Sequence, residues 1–144
     1  MTDQNDTHFE MKILNKKDDL RDLLTKIDGF LSHHCKNPAV VNKIVMCMDE
    51  LVMNIISYGH ADQADHDIFI SAQVDSAKNE VSITLKDDGF EFDPTNPTKP
   101  NINIPVQNRK IGGLGLHIVS SILDKMVYYR EKNMNILTVT KSLI

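Results

Sequence analysis

Apolar and polar residues alternate near the start of the chain and then give way to patterns of helical period. The alternating apolar residues are Phe9, Met11 and Ile13. They predict a first strand, preceded by polar residues 1–7 that we expect to be disordered. From Leu20 to Leu31, leucine and isoleucine recur every three or four positions. This spacing predicts a first helix that follows an Asn15 N-cap and ends near His34.

A second helix is indicated by Asn37-Pro38, a capping residue followed by proline at the first helical position. Its apolar positions form one broad face: Val41, Ile44, Val45, Met48, Leu51, Val52, Ile55 and Ile56. A face of this width is typical of a helix that packs on a sheet. The helix should run to about Tyr58, where Gly59 can end it.

Strand-like alternation returns in the middle and at the end of the chain. Residues 68–74 and 81–85 alternate on either side of a polar turn and predict a hairpin, and residues 126–130 and 136–141 predict two further strands. Residues 88–111 contain four prolines and no sustained period, which predicts a long irregular loop. The glycine-rich segment that follows this loop opens a third helix.

This order of elements predicts a single α/β (α+β) domain over residues 1–144, built as a two-layer sandwich. One mixed, mostly antiparallel five-stranded sheet should carry three helices on one face and be solvated on the other. A chain of 144 residues is long enough to bury such a core without disulfide or metal support.

Composition narrows the classes of function. The net charge of -4 disfavours a nucleic-acid partner, which normally meets a basic face. No signal-peptide pattern and no membrane-length apolar segment occur, so we expect no membrane partner and a cytoplasmic protein. Cys35 and Cys47 match neither a disulfide framework nor a C-x-x-C site, and we expect two reduced thiols.

An acidic residue falls on the apolar side of the second hairpin strand. Asp87 has the same parity as the apolar residues of 81–85 and should point toward the helices, whereas Asp88 should point away and have no role. A buried carboxylate needs hydrogen-bond donors from protein, water or ligand, and capping of a nearby turn is the simplest source. Gly89 would permit a close backbone approach.

Glu50 and Asn54 form a second polar pair, four residues apart on one side of the second helix. A carboxylate and a carboxamide in this arrangement can bind a magnesium ion with its waters, or polarise an attacking hydroxyl. An ordinary pair on a solvated helix edge is the alternative.

The glycine-rich start of the third helix is a third candidate binding element, after Asp87 and the Glu50–Asn54 pair. Unhindered amides at a helix N-terminus suit phosphate oxygens. Arg109 and Lys110 lie just before it, and the sequence leaves open which of them would reach a phosphate. The segment matches neither the P-loop spacing nor the dinucleotide-binding fingerprint.

Three motifs thus occur in order: E-L-V-M-N at 50–54, D-D-G-F-E-F-D-P at 87–94 and G-G-L-G-L at 112–116. Together they resemble the N box, the D-x-G box and the glycine-rich box of the GHKL (histidine kinase-like) ATPase superfamily. The likeness is nearest to the anti-sigma factor serine/threonine kinases of bacterial partner-switching systems and covers nearly the whole chain. It implies a histidine kinase-like ATPase domain of Bergerat-type ATP-binding fold, with residues 93–111 as the ATP lid.

The resemblance also implies a role for the residues of each motif. Asp87 would accept a hydrogen bond from the adenine amino group in a pocket lined by Gly89. Asn54 would coordinate Mg²⁺ bridging the phosphates of ATP, and Glu50 would be the catalytic residue that activates the acceptor hydroxyl. The further expected ATP contacts are Arg109, Lys110, Gly113, Leu114, Gly115 and Leu116.

One departure from the family pattern concerns the last strand. The family often has a threonine early in this strand, close to the adenine-binding aspartate. Here the corresponding stretch reads Asn135-Ile136-Leu137, so Thr138 is assigned no role.

The resemblance therefore implies an ATP- and magnesium-dependent serine/threonine protein kinase. Its substrate would be an anti-sigma antagonist. A sigma factor or another regulator would compete with that antagonist for binding to the kinase, and the kinase would form a homodimer. The alternative is a non-catalytic module of the same fold, in which ATP orders the lid and so selects partners. A third hypothesis is zinc binding through His33, His34, Cys35, His60 and His66. It is disfavoured because adjacent ligands on one helix diverge.

Overall fold

The computed structural model describes residues 6–96 and 114–144. Within them the chain forms five strands and three helices. In chain order these are β1 (His8–Leu14), α1 (Lys17–His34), α2 (Pro38–Tyr58), β2 (Asp67–Asp75), β3 (Glu80–Asp87), α3 (Leu114–Ile122), β4 (Lys125–Glu131) and β5 (Met134–Ser142).

The strands form one sheet in the order β1-β2-β3-β5-β4. All four neighbouring pairs are antiparallel, so the predicted mostly antiparallel sheet contains no parallel pair among the described residues. β3 occupies the centre of the sheet, and its last residue, Asp87, lies opposite Ile68 of β2 and Asn135 of β5. The central strand therefore delivers a carboxylate to one end of the sheet.

The helices cover one face of the sheet and bury its inward side chains. The largest side chains in this core are Leu23, Ile27, Leu31, Ile44, Met48, Ile68, Ile70, Ile83, Leu85 and Leu116. The opposite face is open, and Phe69, Val127 and Tyr129 are exposed. This confirms the predicted two-layer α+β architecture. No helix in the described residues is long and apolar enough to cross a membrane.

The predicted cap of α2 is confirmed, and that of α1 is wrong. The Asn37 side chain accepts a hydrogen bond from the Ala39 amide at 3.1 Å. In α1 the capping position is Lys16, which makes no side-chain cap. The Asn15 carboxamide instead accepts from the His66 amide at 2.9 Å, because the loop before β2 competes for it.

Candidate functional site

The Asp87 carboxylate lies beneath the helices at the end of β3, as strand parity predicted. Asp87 as a whole is 4% exposed. One oxygen, Oδ2, accepts from the Gly89 amide at 2.9 Å and from Asn135 Nδ2 at 3.2 Å. The other oxygen, Oδ1, has no hydrogen-bond partner in the part of the chain that the structure describes. The carboxylate therefore caps its own turn with one oxygen and keeps the second available as an acceptor.

Burial raises the pKa of Asp87, and the hydrogen bonds from Gly89 and Asn135 oppose this rise. Desolvation disfavours the charged form of a carboxylate, and each further donor favours it. A ligand N–H group that donates to Oδ1 would favour the charged form of Asp87 in the same way. The amino group of a purine is a donor of this kind.

Gly89 lies where the turn after β3 meets the end of α2. A Cβ on this residue would lie 2.7 Å from Asp87 Oδ2, 2.8 Å from the Gly59 carbonyl oxygen and 3.0 Å from Gly59 Cα. The same Gly59 carbonyl accepts a hydrogen bond from the Phe90 amide at 2.8 Å. Two backbone segments thus pack against each other with no room for a side chain, and this contact fixes one wall beside Asp87.

We expect Gly89→Ala to destabilise the fold by about 1–3 kcal/mol, because the added methyl must displace backbone atoms. Urea unfolding would measure this change. Gly29→Ala is the matched control: Gly29 lies within α1, and an added Cβ meets nothing within 4 Å. That substitution should be neutral or stabilising by up to about 1 kcal/mol. Equal stability of the two variants would contradict the tight contact at Gly89.

Asn135 is a further polar residue of the candidate site, and the sequence motifs did not indicate it. It is buried opposite Asp87 in the β3–β5 pair. Besides Asp87, its Nδ2 donates to the Phe90 carbonyl at 2.8 Å. Its Oδ1 accepts from Tyr128 Oη at 2.7 Å and from Arg130 Nη1 at 2.9 Å. Residues 135, 137 and 139 share one parity, so strand alternation also predicts an inward-facing Asn135.

Arg130 completes this network from β4. Its Nη1 also donates to the Gly89 carbonyl at 2.9 Å. Thr138 lies on the opposite face of the sheet, where its hydroxyl is 3.1 Å from that of Thr84. Leaving Thr138 without a role agrees with this position, and the residue that supports the aspartate is Asn135.

We expect Asn135→Ala to cost about 2–3 kcal/mol of unfolding free energy, because it leaves buried donors and acceptors without partners. Thermal or urea unfolding would measure it. The control Thr138→Ala, on the same strand but the open face, should cost less than about 1 kcal/mol. Equal losses would show that the Asn135 network does not stabilise the turn after β3.

Glu50 and Asn54 lie one turn apart on α2, and both are half-buried. The start of α3 packs directly on the first of them: a Cβ on Gly115 would overlap the Glu50 carboxyl group and lie 2.9 Å from its Cγ. The next residue, Leu116, is buried in the core and holds α3 in place. The structure therefore brings the Glu50–Asn54 pair and the glycine-rich start of α3 together.

Helix α2 also connects this region to Asp87. Glu50 and Gly59 are nine residues apart, which corresponds to roughly 14 Å along a helix axis. Gly59 touches Gly89 at one end, and Glu50 touches Gly115 at the other. A single rigid element thus spaces the buried aspartate from the helix terminus.

The oxygen donors on α2 suit a magnesium ion. Magnesium prefers hard oxygen ligands, keeps several waters and usually takes only one or two protein ligands together with phosphates. The Asn54 carboxamide and the Glu50 carboxylate provide such donors within one turn of α2. The residues present therefore fit the metal that the sequence implied.

Several predicted contacts fall outside the described residues: Arg109, Lys110, Gly113 and the side chain of Leu114. Of the predicted lid, 93–111, the structure describes only 93–96. There Asp93 Oδ1 accepts from the Thr95 amide at 2.8 Å, and Pro94 is buried. The described start of the predicted lid therefore forms a turn.

The residues of the zinc hypothesis do not come together. Cys35 lies before α2 and its Sγ contacts the Leu143 carbonyl at 3.3 Å, whereas His60 follows the other end of that helix. A helix of 21 residues is about 31 Å long, so one ion cannot bind both. His60 and His66 nevertheless stack on each other at 3.5 Å between ring centroids.

Comparison with known proteins identifies the family of this chain. Residues 13–141 match the model of the histidine kinase-like ATPase domain, and the chain belongs to that family. The predicted membership of the GHKL superfamily is thus confirmed.

Two relatives narrow the likeness. The serine/threonine-protein kinase BtrW of Bordetella bronchiseptica is 30% identical over 97 residues, which are 67% of each chain. The crystal structure of the RsbU and RsbW domains of Rv1364c from Mycobacterium tuberculosis matches 94% of this chain with a TM-score of 0.66 and 13% identity. This chain spans about a third, 32%, of that protein, and the likeness shows the fold alone.

Proposed function

We propose that this protein is an ATP- and Mg²⁺-dependent serine/threonine protein kinase that regulates a partner-switching system. The observation that carries the proposal is the placement of Glu50 on α2, against Gly115 at the start of α3 and one turn from Asn54. This arrangement offers a carboxylate base, an oxygen donor for a cation and helix amides within one small region.

The two ends of α2 would bind the two ends of ATP. At the Gly59 end, Asp87 Oδ1 would accept a hydrogen bond from the adenine amino group while Oδ2 remains bonded to Gly89 and Asn135. At the Glu50 end, the amides of Gly113 and Gly115 would donate to phosphate oxygens. Leu114 and Leu116 would contribute backbone contacts there, since the Leu116 side chain is committed to the core.

Bound magnesium would neutralise charge on the phosphates, and Asn54 would hold it together with water molecules. Glu50 would accept the proton of the attacking serine or threonine hydroxyl as the phosphoryl group transfers. Arg109 or Lys110 would supply positive charge from the lid. The protein's contribution would be mainly positioning and charge stabilisation, as in other phosphoryl transfers.

We further propose that the phosphoacceptor is a small anti-sigma antagonist, that a sigma factor or similar regulator competes for the kinase, and that the kinase acts as a homodimer. The kinase activity named for BtrW supports the transfer to a protein acceptor, and the resemblance of the three motifs to the anti-sigma factor kinases supports the partners and the homodimer. Partners of the required kind are expected among the proteins encoded beside this one.

The deciding experiment incubates the purified protein with γ-labelled ATP, Mg²⁺ and each candidate antagonist, and identifies the phosphorylated residue. We expect phosphoserine or phosphothreonine on one antagonist and no transfer when Mg²⁺ is chelated. If the protein binds ATP and its partner tightly but no phosphoprotein forms, the proposed kinase activity is overturned. The protein would then be a nucleotide-dependent binding module.

A further inference from the structure

A second polar cluster lies outside the proposed ATP site, formed by His60, His66 and Asp88. His60 Nε2 is 2.9 Å from Asp88 Oδ1, and His66 Nδ1 is 3.2 Å from the same oxygen. One donor atom from each of the three residues lies within 4.8 Å of the other two. Ligand atoms on a tetrahedral zinc ion are roughly 3.3 Å apart, so the cluster is close to the size of a metal site.

A carboxylate on the far side of the ring fixes the orientation of His66. Its other nitrogen, Nε2, is 2.9 Å from Asp62 Oδ2. A carboxylate that accepts the second N–H of an imidazole fixes its tautomer and raises its basicity, as carboxylates do beside metal-bound histidines. With Nε2–H donated to Asp62, neutral His66 presents the lone pair of Nδ1 to Asp88.

A lone pair facing a carboxylate oxygen at 3.2 Å is repulsive unless a cation lies between them. A single proton on His66 Nδ1 or a metal ion can fill this position, whereas protonating His60 as well would be costly, because the two rings are stacked at 3.5 Å with an interplanar angle of 12°. His60 adds a buried Nδ1 that has no hydrogen-bond partner within residues 6–96 and 114–144. One metal cation shared by two imidazoles and a carboxylate would satisfy the contacts of both histidines with Asp88 without a second charged ring.

We propose that His60, His66 and Asp88 bind a divalent transition-metal cation of the zinc class, with Asp62 as the positioning residue for His66. Imidazole and carboxylate donors suit Zn²⁺, Co²⁺ or Ni²⁺ rather than Mg²⁺. Three protein ligands leave one tetrahedral position for water, and the Asp88 side chain, 48% exposed, leaves that side open to solvent.

Binding requires a rotation of one imidazole. Parallel rings cannot both direct an in-plane lone pair at one ion, so the stacked pair must splay when the metal enters. The histidines lie on the loop between α2 and β2, and Asp88 directly follows β3. The ion would thus join that loop to the end of the central strand and stabilise the fold against unfolding.

The test uses tag-free protein stripped of metal by chelator, with no nucleotide present. We expect Co²⁺ to give one equivalent of tetrahedral visible absorption, Zn²⁺ to displace it with micromolar or tighter affinity, and a large excess of Mg²⁺ to leave it unchanged. Zn²⁺ should also raise the melting temperature. No Co²⁺ spectrum together with zinc affinity weaker than about 1 mM would overturn the site and leave a proton as the shared cation.

Variants locate the ion. His66→Ala should weaken zinc binding at least about 100-fold, and Asp62→Asn, which keeps all three ligands, about 10–100-fold. His33→Ala is the matched control and should bind as the wild type does, since His33 lies on α1. The melting temperature of each metal-free variant establishes that it folds. Full affinity in His66→Ala, or loss in His33→Ala, would place the metal elsewhere and overturn the assignment.

Discussion

Replacing Asp87 with asparagine should weaken ATP binding by about 100-fold and leave the protein folded. Asparagine has the same shape, and its carbonyl oxygen can accept the hydrogen bonds that Oδ2 now receives from Gly89 and Asn135. Its amide nitrogen would then occupy the position of Oδ1. Two donors, this nitrogen and the adenine amino group, would face each other, and the negative charge would be lost.

Isothermal titration of ATP and GTP into both proteins would measure this effect. Guanine has a carbonyl where adenine has the amino group, so the wild type should prefer ATP and the variant should lose that preference. Asp75→Asn, at the turn end of the β2–β3 hairpin, is the matched control and should bind ATP normally. Unchanged ATP affinity in a folded Asp87→Asn protein would exclude Asp87 from the adenine site.

Local patterns predicted those parts of the fold and the site that depend on local geometry. Strand alternation placed Asp87 inward because its parity follows from the apolar residues just before it. The Asn37-Pro38 cap was also predictable, since the capping amide is two residues away. The predicted Asn15 cap of α1 is wrong because residues about fifty positions later, in the loop before β2, bind the Asn15 side chain.

Long-range pairing accounts for what the sequence did not show. Asn135 meets Asp87 only because β5 lies beside β3 in a particular register. Asp88 is exposed, as its parity predicted, but its two histidine partners come from a loop whose shape no period encodes. The contact between Gly115 and Glu50 likewise depends on how α3 packs on α2.

Replacing Glu50 with glutamine should lower phosphoryl transfer by about 10²–10⁴-fold while ATP affinity changes less than about threefold. Glutamine preserves the size and hydrogen-bonding capacity of the side chain, so its packing against Gly115 is retained. It cannot accept a proton at neutral pH. The defect should therefore fall on the chemical step, which single-turnover transfer to the antagonist measures separately from nucleotide binding.

Two companion variants separate the base from other effects of Glu50. Glu50→Asp keeps a carboxylate but withdraws it by one methylene, so it should retain intermediate activity if proton acceptance matters. Asp49→Asn removes the adjacent, exposed acid of α2 and should transfer at the wild-type rate. Near-normal transfer by Glu50→Gln would show that another group accepts the proton. Parallel loss of ATP affinity would instead place the Glu50 carboxylate in ground-state binding of ATP and magnesium, because a general base contributes only as the hydroxyl attacks.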